Sequence, residues 1–233
     1  NGNVTRNEYG SRGRVIRIID AANGITAKFY DIAGRLTAIV SPNQYDAAKT
    51  LEQMGRTGYL YDVMGRVKTV TQVYFDAEAG QWVTFVEKAY LYDAAGNVIR
   101  EEDALGYASG TGDTIDQRIA SGYGTTYSYD LAGHVLTVLD PVSKDRGLAF
   151  SAKYTYDALG RKTCAIDADG NSIYYYYTDA GKLRYSTWVS ADKSTSQLIE
   201  AYDYDLLGHA TAHTDANSKV TIYAYNALGK VSK

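Results

Sequence analysis

The chain has 233 residues with 24 Lys and Arg against 27 Asp and Glu, a net charge of −3, so it lacks the basic stripe that nucleic-acid binding needs. No apolar run approaches the ~20 residues of a membrane span and no leader peptide is visible, so this segment is not expected to insert into a membrane. One cysteine, Cys164, excludes an internal disulfide framework, while tyrosine is the compositional outlier at 23 copies against 4 Phe and 2 Trp.

In chain order, the sequence is organised by a Tyr that is followed four residues later by Gly and then by a basic or amide side chain. Tyr9-Gly10-Ser11-Arg12-Gly13-Arg14 is a worn first copy. Tyr30-Asp31-Ile32-Ala33-Gly34-Arg35, Tyr61-Asp62-Val63-Met64-Gly65-Arg66 and Tyr92-Asp93-Ala94-Ala95-Gly96-Asn97 follow at intervals of 21, 31 and 31 residues. Next come Tyr129-Asp130-Leu131-Ala132-Gly133-His134 and Tyr156-Asp157-Ala158-Leu159-Gly160-Arg161. Three looser copies close the series: Tyr177-Thr178-Asp179-Ala180-Gly181-Lys182, Tyr204-Asp205-Leu206-Leu207-Gly208-His209 and Tyr225-Asn226-Ala227-Leu228-Gly229-Lys230. Nine copies of one spaced pattern mean a repeat architecture.

Asp, two ordinary residues and Gly spell a type I turn with a left-handed fourth position, the closure of a β-hairpin with a one-residue bulge. Tyr then ends the incoming strand and the basic residue begins the outgoing one, so the two are expected to stack across their own hairpin. Residues 34–40, 65–73 and 173–177 alternate as half-buried strands do. A second turn signal ends several outgoing strands, at residues 103–106, 140–143, 167–170 and 215–218.

The longer intervals contain insertions. Residues 75–82 and 190–196 read as extra hairpin tips, and 107–126, with Gly at 110, 112, 122 and 124, as a long loop or flexible crossing. Ser41, Pro42 and Gln44, with Gly55 as a stop, predict a short helix over 42–54. The Tyr excess favours a thin, single curved sheet over a deep core, because a Tyr ring tolerates a half-wet surface.

Sites of chemistry are sparse. Nucleophile-elbow, phosphate-loop and zinc-protease signatures are missing, so no enzyme and no cofactor is expected. His134 and His209 stand where other copies carry Arg, which points to stacking. His209 and His213 share a strand face without a carboxylate or Cys to complete a metal set. Asp167-Ala168-Asp169-Gly170-Asn171 begins like a calcium loop, but Thr178 holds the twelfth position, and the turn reading wins. Cys164 reads as a buried, idle thiol. The run Tyr174 to Tyr177 places two rings on each face, and Tyr175 and Tyr177 are the candidate platform for stacking on a sugar ring.

The hexapeptide Tyr-Asp-x-x-Gly-Arg at Tyr30, Tyr61 and Tyr156, each followed by a strand and a further Tyr-ended strand, resembles the YD repeat of RHS-repeat proteins, and the likeness extends along nearly the whole chain. Arg is replaced at Asn97, His134, Lys182, His209 and Lys230. The resemblance implies an all-β array of antiparallel hairpins forming a spiralling sheet or shell strip over residues 1–233, in bacterial members wrapped around a toxin domain. It also implies a secreted or cell-surface protein whose partners are neighbouring repeats and an enclosed domain. The glycine-rich, self-cleaving end of the RHS core has no counterpart around Asp140-Pro141, so no protease residues carry over. The start at Asn1 without Met and the end at Lys233 just past a turn lead to the expectation of a piece of a longer array. A non-catalytic scaffold is thus the leading expectation, and a Tyr-based module for cell-surface carbohydrate the alternative.

Overall fold

The structure, a computed structural model, describes residues 4–232, so Asn1 and Lys233 lie outside the described residues. The chain divides into two compact units, Asn1–Thr125 and Thr126–Lys233. In the first unit, β1 (Arg6–Tyr9), β2 (Val15–Ile19), β3 (Ile25–Tyr30), β4 (Leu36–Val40), β5 (Arg56–Tyr61), β6 (Val67–Asp76), β7 (Gln81–Tyr92) and β8 (Val98–Asp103) form a meander. Each strand pairs antiparallel with the next. In the second, β9 (Thr125–Tyr129), β10 (Val135–Leu139), β11 (Ala152–Tyr156), β12 (Lys162–Asp167), β13 (Ser172–Tyr177), β14 (Leu183–Val189), β15 (Ser196–Tyr204), β16 (Ala210–Asp215) and β17 (Val220–Ile222) do the same. The fold is all-β and antiparallel, as the period-two pattern requires.

The strand hairpins built on the first eight copies of the motif slip register at or opposite their Tyr. Examples are Phe29/Tyr30, Leu60/Tyr61, Leu91/Tyr92, Thr155/Tyr156 and Asp203/Tyr204. That slip is the bulge made by the motif glycine, whose φ is +88° at Gly34, +82° at Gly65 and +76° at Gly160. The extra tips at 75–82 and 190–196 are the turns joining β6 to β7 and β14 to β15. Turns also stand at 167–170 and 215–218, closed by Gly170 N–H to Asp167 O and Ser218 N–H to Asp215 O.

Packing is thin. In the first unit Ala27, Val40 and Met54 form a small buried cluster against Phe29, Tyr45 and Leu51. In the second, Cys164 is the buried apolar side chain among the described residues. Most strand positions are half-buried, so each hairpin depends on its neighbours for stability.

Three sequence expectations are corrected. Residues 42–54 form no helix beyond a single 3-10 turn at Leu51–Gln53. Local polar contacts restart the backbone three times: Gln44 and Tyr45 N–H bond to Ser41 O, Asp46 Oδ1 accepts from Ala48 N–H, and Gln53 Oε1 accepts from Thr50 N–H. Tyr45, Leu51 and Met54 are meanwhile drawn into the core cluster.

Residues 107–126 are not a flexible loop but carry α1 (Ala104–Ser109) and α2 (Ile115–Ser121). Asp103 caps the first through Gly106 N–H at 2.8 Å, and Thr114 with Gln117 forms a capping box on the second. Ile119 is fully buried. The glycines there serve close approach: a Cβ on Gly110 would strike the Arg118 carbonyl, and one on Gly124 the Glu101 carbonyl. Finally, the turn signals at 103–106 and 140–143 start helices. Asp140 caps α3 (Pro141–Asp145) by accepting from Ser143 N–H at 2.7 Å.

Candidate functional site

The candidate site is the repeated Tyr-Asp-x-x-Gly-basic unit. In the second copy the hairpin closes through Asp31 N–H to Arg35 O and Gly34 N–H to Asp31 O, both 3.0 Å. Asp31 then does two further things. Its Oδ1 accepts from Arg35 N–H at 2.8 Å and its Oδ2 pairs with Arg35 Nε at 2.7 Å. The same pair of bonds holds Asp62 to Arg66, Asp93 to Asn97, Asp130 to His134, Asp157 to Arg161 and Asp205 to His209. The Arg35 and Arg161 amides hold Asp31 and Asp157 below the usual carboxylate range, the His134 ring does so for Asp130, and the Asn97 side chain for Asp93. In the looser copies Thr178 Oγ1 accepts from Lys182 N–H, and Asn226 Oδ1 from Lys230 N–H.

The stacking partner differs from the one expected. Each basic side chain lies on the Tyr of the following copy, not on the Tyr of its own hairpin. Arg35 sits 4.9 Å from the Tyr61 ring, Arg66 4.4 Å from Tyr92, Arg161 4.6 Å from Tyr177 and Lys182 5.5 Å from Tyr204. His134 stacks on Tyr156 at 4.8 Å and His209 on Tyr225 at 4.7 Å. Where Asp is present it holds the basic or imidazole group on its own turn, and Lys182, whose hairpin has Thr178 instead, reaches the next Tyr all the same.

The Tyr hydroxyls complete the step. Tyr30 donates to Val15 O, Tyr61 to Leu36 O, Tyr92 to Val67 O and Tyr156 to Val135 O. Tyr177 donates to Lys162 O, Tyr204 to Leu183 O and Tyr225 to Ala210 O. In each case the acceptor is the residue just after the basic group of the preceding copy. Sequence reasoning missed these acceptors because a backbone carbonyl leaves no side-chain signature. The arrangement is a ladder whose rungs combine an inter-hairpin ring contact with an inter-hairpin hydrogen bond and, in the copies that carry Asp, an intra-hairpin carboxylate bond to the stacking residue.

The remaining candidates take structural places. Tyr177 is a ladder rung with Arg161 against its ring, and Tyr175 is partly buried, with burial pushing its hydroxyl pKa up. Both rings are thus half-buried within the sheet, and the exposed ring of that run is Tyr176, stacked on Tyr185 at 4.3 Å. Cys164 is buried and free, and burial raises its thiol pKa. Asp167 Oδ1 accepts from Asp169 and Asn171 N–H, which is turn chemistry, and Asp169 pairs with Arg146 at 2.7 Å. His213 stacks on Tyr202, whose hydroxyl donates to Glu200 at 2.7 Å and is pushed up to about 12 by that bond.

Residues 204–233 match the RHS repeat family. No curated protein matches the chain. Among solved structures, TcdB2-TccC3-Cdc42 is 21% identical with a TM-score of 0.47, covering 97% of this chain and 14% of its own. TcdB2-TccC3 without its hypervariable C-terminal region gives the same figures. The Tc holotoxin pore of Photorhabdus luminescens is 18% identical, with a TM-score of 0.33 and coverage of 97% and 16%. The chain thus spans about one sixth or less of the length of the structures it matches.

Proposed function

We propose that this chain, which carries an RHS repeat, is a non-catalytic structural scaffold: a strip of β-wall continued by further repeats of the same kind over residues 1–233 and beyond. The observation that carries the reading is the ladder. Within each unit its rungs join successive motif hairpins, from Tyr30 to Val15 in the first and from Tyr225 to Ala210 in the second. Polar side chains that elsewhere would be available for ligands are spent here on neighbours. Outward apolar residues on β17, Val220 and Ile222, fit a strand that another strand covers.

The finer reading rests on the RHS resemblance. The strip belongs to a large bacterial protein, secreted or at the cell surface, whose wall spirals around or presents a toxin domain. Among the described residues no helix is long and apolar enough to cross a membrane.

The test is limited proteolysis of a natural longer protein containing this strip, intact and with Arg66→Ala and Arg161→Ala together. The expected result is a downstream domain that resists protease in the intact protein and is cleaved in the variant. A domain cleaved equally fast in both overturns encapsulation. A variant as stable to urea as the parent overturns the scaffold role of the ladder.

A further inference from the structure

The first copy of the motif departs from the Asp-containing copies in its charge, as the looser copies at Thr178 and Asn226 also do. Where a hairpin holds Asp at the first turn position and Arg after the glycine, the two pair at 2.6–2.7 Å, as in Asp31 with Arg35, Asp62 with Arg66 and Asp157 with Arg161. In the first copy Gly10 stands at the Asp position. The turn closes all the same, through Gly10 N–H to Arg14 O and Gly13 N–H to Gly10 O, both 2.9 Å, with Gly13 at φ +71°. Geometry therefore does not need the carboxylate, and Arg14 has no carboxylate partner among the described residues.

Arg14 instead lies over the backbone of Gly34, in space that any Cβ there would fill, with its guanidinium 5.8 Å from the Tyr30 ring centre. Two more cations line the same cleft. Arg12 donates through Nη1 to the Ile32 carbonyl at 2.7 Å, and the Lys28 ammonium makes no hydrogen bond or ion pair among the described residues. The carboxylate in the lining is Asp31, already committed to Arg35 through both oxygens. Three cations thus share a cleft of about 390 Å³ in a chain whose net charge is −3. That volume suits a small ligand, and Ile16 and the Tyr30 ring add apolar wall.

We propose that the cleft between the first two hairpins binds a small phosphate- or sulfate-bearing ligand, with Arg14 as its main anchor and Arg12 and Lys28 completing the charge. A guanidinium engages two oxygens of a tetrahedral anion side by side, and an ammonium takes a third as a point charge. The organic part rests on Tyr30 and Ile16. The inference is independent of the scaffold reading, since an anion site stands whether or not the strip belongs to a shell.

The test is isothermal titration calorimetry of the 233-residue chain at low ionic strength, with phenyl phosphate, phenyl sulfate and acetate as probes. Saturable one-to-one binding of a tetrahedral anion is expected, weakened tenfold or more in both Arg14→Gln and Gly10→Asp and unchanged in Lys219→Gln. Gly10→Asp is the sharper variant. It returns a carboxylate to the hairpin, and its Cβ meets Ile16 Cγ2 at 3.0 Å, a contact that a small shift relieves, so the melting temperature should hold while binding is lost. Preference for phenyl phosphate or for phenyl sulfate identifies which ester the site serves. No saturable binding by the folded chain, acetate bound as tightly as phosphate, or binding retained in both site variants overturns the proposal.

Discussion

The Tyr61 hydroxyl donates to the carbonyl oxygen of Leu36 at 2.7 Å, across 25 residues of sequence, and so fastens one hairpin to the hairpin before it. Tyr61→Phe removes that donor while leaving the ring against Arg35. The loss of one partly buried hydrogen bond is expected to cost about 1 kcal/mol, read as a lower urea midpoint with an unchanged slope. An unchanged midpoint would show that the bond contributes nothing to the ladder.

Arg66 distinguishes stacking between hairpins from stacking within one. It pairs with Asp62 on its own turn and lies 4.4 Å from the Tyr92 ring of the next copy. A double-mutant cycle between Arg66 and Tyr92 should give a coupling of about 0.5–1 kcal/mol, whereas Arg66 with Tyr61 should couple weakly or not at all. The reverse ranking would restore the within-hairpin clasp.

That contrast marks what sequence can reveal here. Turn chemistry is local, so Asp31, Gly34 and Arg35 betray the hairpin, its bulge and its repeat number from residue type alone. Which Tyr receives which Arg depends on how one hairpin lies beside the next, a tertiary relation that spacing does not encode. The helices were hidden for another reason. An Asp that starts a turn and an Asp that caps a helix make the same bond to a backbone N–H two or three residues on, so Asp103 and Asp140 read as turns although helices follow them. The grouping of Arg12, Arg14 and Lys28 around one cleft is likewise tertiary, because Gly10 in place of Asp does not by itself tell which other cations lie beside Arg14.

Gly65 and Gly160 both have positive φ, +82° and +76°, but differ in surroundings. A Cβ on Gly65 would meet only Arg35 atoms at 3.9 Å, whereas one on Gly160 would press on the His134 ring at 2.7 Å. Gly65→Ala should therefore cost about 1–2 kcal/mol from backbone strain alone. Gly160→Ala should cost more, because it also displaces His134 from Tyr156. Thermal melts of the two variants check the order, and equal losses would mean that the His134 contact adds nothing.

Acid should weaken the ladder through its aspartates. Asp31, Asp93, Asp130 and Asp157 have folded pKa values lowered below the unfolded ones, so their contribution is fully present above the ordinary carboxylate range. It is lost as pH falls through the depressed folded values, when the protonated side chains no longer attract Arg35, Arg161 and the turn amides. Urea midpoints should be flat between about pH 7 and 5 and fall steeply below about pH 4. Asp157→Asn should lower the neutral-pH midpoint and flatten the acid limb, and a parallel acid limb in that variant would remove Asp157 from the list of contributors.

Ile119 tests whether the helical insertion is part of the wall or an ornament on it. Its side chain is fully buried, and α2 is tied to β6 by the Lys68–Asp116 ion pair at 2.6 Å. Truncation to Ala leaves a cavity that short, capped helices cannot close, with an expected cost of about 2–5 kcal/mol. If the insertion is integral, hydrogen exchange should rise in α1, α2, β7 and β8 together, since the helices pack on those strands. If exchange rises in the helices alone, they fold as an appendage and the meander stands without them.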